Sequence, residues 1–113
     1  MRVHGRSMTP TLRPNDLILV QQRGFALRPP RRGDLVAISP SMLGGRAIVK
    51  RIIGLPKEVL TIEGREWRLA DEEFFVVGDR TDGSLDSRVL GPVRQQEMIG
   101  PVQARLWPFF RRA

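Results

Sequence analysis

Three short stretches of this 113-residue sequence carry side chains that could do chemistry together. Ser7 stands in Gly5-Arg6-Ser7-Met8-Thr9-Pro10-Thr11-Leu12, a segment with a glycine and a proline that is too irregular for a strand. It predicts a turn, which can expose a hydroxyl and aim neighbouring backbone N–H groups at one point, as an oxyanion hole requires. Taken alone, Ser7 reads first as an ordinary turn or helix-cap serine. Lys50 lies inside Ala47-Ile48-Val49-Lys50-Arg51-Ile52-Ile53, a run apolar enough to be buried on both faces. On a strand it shares a face with Ile48 and Ile52. Aliphatic surroundings disfavour the ammonium form, so the amine can accept a proton from a serine hydroxyl near neutral pH. The competing reading sends its head to water at a strand edge or pairs it with an acid. The third stretch, Val77 to Arg88, is dense in hydrogen-bonding side chains and follows an apolar strand. It also reads as a polar surface loop, and its acids do not have the spacing of an EF-hand, so no metal is expected. His4, three residues from Ser7 and with no acid placed to orient it, is a poor base.

These residues need a scaffold. Short segments rich in Val, Ile and Leu, separated by Pro and Gly, argue for strands rather than long helices. Candidate strands are Asp16 to Gln21, Asp34 to Ile38, Ala47 to Ile53, Val59 to Ile62, Glu73 to Val77 and Gly100 to Leu106, with turn signals at Arg13 to Asn15, Arg28 to Gly33, Gly44-Gly45, Gly54 to Pro56 and Asp82-Gly83. The expected fold is mainly β, a small twisted sandwich or partly closed barrel, with helix limited to turns near Ser7 to Leu12 and Gln95 to Met98. One domain spans residues 1–113.

Composition narrows the chemistry. With 41% hydrophobic and 27% charged residues the chain should fold. With no Cys and one His there is no disulfide, no thiol nucleophile and no His/Cys zinc cluster, so catalysis would use oxygen, nitrogen or carboxylate groups without a cofactor. No apolar run approaches the ~20 residues of a membrane span, and the start lacks a secretory signal, which predicts a soluble cytoplasmic chain. The net charge of +7 invites a nonenzymatic basic β-domain that binds nucleic acid. The arginines are scattered and aromatics few, however, so a solvated basic surface with no specific nucleic-acid partner is the expectation.

Taken in order, the stretch around Ser7, then Arg32-Gly33-Asp34-Leu35-Val36, then Lys50-Arg51-Ile52-Ile53-Gly54-Leu55-Pro56, then Gly78-Asp79 through Ser84-Leu85-Asp86-Ser87-Arg88, resemble the boxes of the signal peptidase I family. LexA-like self-cleaving domains share the Ser-Met pair and the strand lysine but not the last box. The resemblance implies that Ser7 attacks the scissile carbonyl, that Lys50 serves as base and then acid, and that Ser84 hydrogen-bonds the Lys50 amine. Asp79, Asp86 and Arg88 would shape the site. A precursor protein would bind as an extended strand beside Gly5-Arg6 and Ala47, Ile48 and Val49, with Met8 lining pockets for small side chains. The chain departs from the pattern at Gly5, where some members carry a Ser or Thr oxyanion donor, at Arg80 in place of Asn, and at Lys57-Glu58 in place of Gly-Asp.

The absence of a large insert and of an anchor, with the ending Trp107-Pro108-Phe109-Phe110-Arg111-Arg112, resembles the short soluble branch of nickel-type superoxide dismutase maturation proteases. That likeness implies a protease that removes a propeptide from the precursor of that enzyme, the nickel belonging to the substrate; separately, the chain is expected to be a monomer. The same ending could instead touch a membrane surface peripherally or pack as a strand on the core. The catalytic domain of a truncated membrane-anchored signal peptidase is the alternative.

Overall fold

The computed structural model describes residues 1–44, 46–80 and 85–113. Nine strands account for most of its regular structure: β1 (Leu17–Val20), β2 (Leu35–Ile38), β3 (Ile48–Gly54), β4 (Val59–Ile62), β5 (Arg65–Arg68), β6 (Glu73–Val77), β7 (Val93–Arg94), β8 (Met98–Trp107) and β9 (Arg111–Arg112). Seven form one antiparallel sheet in the order β1-β8-β2-β3-β6-β7, with β9 also on β8, while β4 and β5 make a separate hairpin. The path does not return from β7 to β1, so the fold is mainly β but not a closed barrel.

The branched, nearly uninterrupted apolar sequence of β2 explains its central place. Leu35, Val36, Ala37 and Ile38 are all buried, and β2 is paired on both sides, with β3 and with β8. Alternation along β3 then serves two cores. Val49 packs with Val3, Met8, Leu12, Ile18, Leu35 and Val102, whereas Ile52 and the partly buried Ile48 pack with Val36, Ile38, Phe74, Val76 and Val93. One strand thus couples the core under the Ser7 segment to the core under Lys50.

The six expected strands are all present, the last extended to Met98–Trp107. Three were not anticipated: β5 is charged, and β7 and β9 have two residues each, too short for periodicity to register. Helix is confined to single turns, at Gly24–Leu27, Ser41–Leu43, Ser87–Leu90 and Gln95–Glu97, of which only the last was expected as helix besides the turn at Ser7. Among the expected turns, Asn15, Gly33 and Gly44 have positive φ, but Gly54 lies at the end of β3, where a Cβ would stand 2.3 Å from Leu60 Cδ1 and 2.9 Å from Phe75 Cβ. Close approach of the β4–β5 hairpin therefore explains this glycine better than turn geometry does. Gly45 and Asp82-Gly83 lie outside the described residues. The C-terminal residues pair with β8 through β9, yet Trp107, Phe109 and Phe110 are 54%, 73% and 68% exposed, so these rings do not join the core. Among the described residues no helix is long and apolar enough to cross a membrane.

Candidate active site

The Ser7 segment is a turn held at both ends. Met8 and Leu12 sink into the first core at 1% and 3% exposure, and the Leu12 N–H donates to the Met8 carbonyl at 2.8 Å. The Thr9 N–H and hydroxyl both donate to the Arg6 carbonyl, at 3.1 and 2.8 Å. The Arg80 N–H donates to the Ser7 carbonyl at 2.8 Å, tying this turn to the chain that leaves β6. Ser7 itself is half-buried, and among the described residues its N–H and hydroxyl make no hydrogen bond. The segment enters through Gly5 at φ 77°, a left-handed conformation in which a β-branched side chain would be strained. That backbone is the physical reason a glycine suits this position.

Lys50 lies opposite Val36 on β3, between Ile48 and Ile52 on one face, and is only 2% exposed. Burial pushes its amine below the ordinary lysine value; Asp86 pulls it back up and Arg88 adds to the depression. Ser7 and Lys50 line one cleft of about 290 Å³, together with Gly5, Arg6, Met8, Ala47, Ile48 and Val49. Among the described residues the Ser7 hydroxyl makes no hydrogen bond to Lys50. No Asp or Glu is among the described residues that line this cleft, although His4 is there, so nothing on its walls orients that imidazole as a triad would require.

The walls also offer backbone. Among the described residues β6 pairs with β3 from Arg51 onward, leaving Ala47, Ile48 and Val49 without a β6 partner on the side where the cleft opens. An extended peptide laid there would meet a strand edge on one hand and Gly5-Arg6 on the other.

Asp79, Asp86 and Arg88 do not line the cleft; they brace it. Asp79 accepts from Arg51 Nε and Nη2, both at 2.8 Å, and from the Thr11 hydroxyl at 2.6 Å, linking β3 to the Ser7 turn. The Arg51 hydrogen bond, aided by Thr11, holds the Asp79 carboxyl below its usual range against the opposing effect of burial. Asp86, 1% exposed, accepts from the Gly78 N–H at 2.8 Å, the Arg88 N–H at 3.0 Å, and Arg88 Nε and Nη2 at 3.1 and 2.7 Å. Burial alone would raise its pKa, but these bonds more than offset that and keep it low. Ser84 lies outside the described residues. Three bracing residues carried no assigned role from sequence: Thr11, Arg51 and Ser87, whose buried hydroxyl accepts from the Val76 N–H at 2.9 Å. Alternation could have found Arg51, since a strand that buries Lys50 must send its neighbour to the other face, toward a partner.

The signal peptidase, peptidase S26 family profile matches residues 1–69 and 57–107. Signal peptidase I of Leptolyngbya laminosa is 30% identical over 139 positions, covering 96% of this chain and 68% of that protein. Probable signal peptidase I-2 of Synechocystis is 30% identical, covering 90% of this chain and 60% of that one. Mitochondrial ATP-independent inner membrane protease subunit 1b of Arabidopsis thaliana is 31% identical over 115 positions, covering 94% and 68%. The 139-position match is longer than the chain itself, so that bacterial relative carries internal residues that this chain lacks. From the ordered boxes, the cleft they build and these matches, the chain belongs to the signal peptidase family, peptidase S26.

Proposed function

We propose that this chain is a serine endopeptidase that cuts a precursor protein, with Ser7 as nucleophile and Lys50 as general base. The observation that carries the reading is a lysine 2% exposed, with its pKa depressed by burial, on the wall of the cleft that Ser7 also lines. Neutral Lys50 takes the Ser7 proton as the oxygen attacks the scissile carbonyl, then returns it to the leaving amine. The uncommitted Ser7 N–H is the donor available to the developing oxyanion. The family resemblance gives Ser84, which lies outside the described residues, the role of orienting the Lys50 amine. The substrate lies extended between Gly5-Arg6 and Ala47 to Val49, with Met8 on the pocket floor. The chain acts as a monomer in this reading. Exposed Trp107, Phe109 and Phe110 beside Arg111 and Arg112 support a peripheral membrane contact.

The proposed substrate is the precursor of nickel-type superoxide dismutase, supported by the likeness of this short chain to that branch and by its lack of the internal residues of the bacterial relative. The test is incubation of that precursor with wild type, Ser7→Ala and Lys50→Ala, the cut located by mass spectrometry. Cleavage at one propeptide junction by wild type alone is expected. Equal cleavage by all three rejects the mechanism; cleavage only of a secretory precursor rejects the substrate and leaves the dyad.

A further inference from the structure

Two guanidinium groups on the cleft have no role in the proposed chemistry. Arg6 directly precedes Ser7, and Arg46 directly precedes the open edge at Ala47. Both are exposed, both line the cleft, and among the described residues neither side chain has a hydrogen-bond or ion-pair partner. This contrasts with Arg28, Arg32, Arg51 and Arg88, each of which holds a carboxylate. No Asp or Glu is among the described lining residues, so the described walls place these positive charges along the path of the peptide with no acid beside them.

We infer that Arg6 and Arg46 select substrates carrying an acidic side chain close to the cut and reject those carrying a basic one there. The inference rests on the peptide-binding reading of this cleft and adds the substrate's charge to it. A carboxylate brought by the peptide can accept two parallel hydrogen bonds from a guanidinium, a geometry that a neutral amide matches poorly. A lysine in the same place meets like charge from both walls, so discrimination comes from repulsion as well as attraction. Of the other basic groups on these walls, Lys50 is buried and committed to the reaction in this reading and the Met1 amine donates to the Ile18 carbonyl, so the exposed Arg6 and Arg46 guanidiniums are the groups assigned to distinguish acidic from neutral neighbours.

The experiment separates binding from turnover. Fluorescent peptides with an alanine at the intended cut, and Glu, Gln or Lys scanned through the flanking positions, are titrated against Ser7→Ala by anisotropy and offered to wild type for cleavage. At one or two positions the Glu peptide should bind roughly tenfold more tightly than the Lys peptide, with Gln between, and added salt should compress the difference. Arg6→Glu and Arg46→Glu, exposed changes that remove no internal contact, should each shrink or reverse that preference at its own position. Indifference to peptide charge at every position, or a preference unchanged in both variants, overturns the inference. A charge preference in binding without cleavage by wild type leaves it standing while rejecting the peptidase reading; cleavage without preference does the opposite.

Discussion

Lys50 and Arg51 are consecutive residues of one strand and carry the same formal charge, yet the fold treats them in opposite ways. Lys50 is enclosed between Ile48 and Ile52, and burial depresses its pKa. Arg51, on the other face, is 30% exposed at its side chain, grips Asp79 through two nitrogens and the Gly33 carbonyl through a third, and has its pKa raised, chiefly by the Asp79 hydrogen bond. One face of β3 therefore holds a cation that can lose its charge, and the other a cation that cannot. A base is useful only on the first, and a permanent clamp only on the second.

Exchanging residue types at these two positions breaks the comparison most severely at Lys50. Lys50→Arg keeps length and charge but removes the capacity to deprotonate, so kcat/KM on a cleaved precursor should fall by about 10³-fold or more. Retention of more than a tenth of the activity would mean that the base lies elsewhere, with His4 the next residue to test. Asp86→Ala strips the Gly78 N–H of its acceptor and leaves the Arg88 guanidinium, among the described residues, only its longer contact with the exposed Glu63, 3.5 Å away. A loss of about 3–5 kcal/mol is expected from chemical denaturation, in line with breaking a buried pair from one side. A change below about 1 kcal/mol would show that Glu63 and solvent already satisfy Arg88.

The reciprocal exchange, Arg51→Lys, is milder. A single ammonium cannot reproduce the fork on Asp79, so the Thr11 end of the Ser7 turn loosens. We expect kcat to drop about tenfold with KM nearly unchanged, together with a stability loss of about 1 kcal/mol. A rise in KM alone would assign Arg51 to substrate binding and sever the link from β3 to Ser7.

How much of this was legible in the sequence follows from the same two residues. Buried strands announced themselves because β2, β3 and β6 are apolar at nearly every position, and burial of Lys50 followed from its neighbours. The short strands β7 and β9 exist through backbone pairing with β6 and β8, which no local pattern encodes. The cleft pairing of Ser7 with Lys50, residues far apart in the chain, came from the resemblance of ordered boxes rather than from spacing. Asp79 was assigned from the boxes and Arg51 could follow from alternation, but their joining with Thr11 was hidden for the same reason: the three come from separate parts of the chain, and only the fold brings them within hydrogen-bond distance.

The smallest effect tests the cause of the asymmetry directly. Lys50→Met replaces a buried amine by an apolar chain of similar length, so it should abolish cleavage while leaving the fold more stable, by about 1 kcal/mol near neutral pH. The sign follows from proton counting. With the folded pKa of Lys50 depressed, the unfolded chain binds more protons in the interval between that value and the ordinary 10.5, so wild-type stability rises with pH there. Below the folded pKa the burial penalty is fully present, and above 10.5, where both states are neutral, it has gone. The advantage of Lys50→Met over wild type should therefore be greatest at the acidic end and vanish at strongly alkaline pH. Denaturant titrations of both proteins across that interval read the difference, with the pH-dependent contributions of Asp79 and Asp86 cancelling to the extent that their surroundings are unchanged. An advantage that is constant with pH would mean that packing, not charge, distinguishes the two side chains. A loss of stability would mean that the Lys50 amine is more strongly held in the folded protein than its depressed pKa implies.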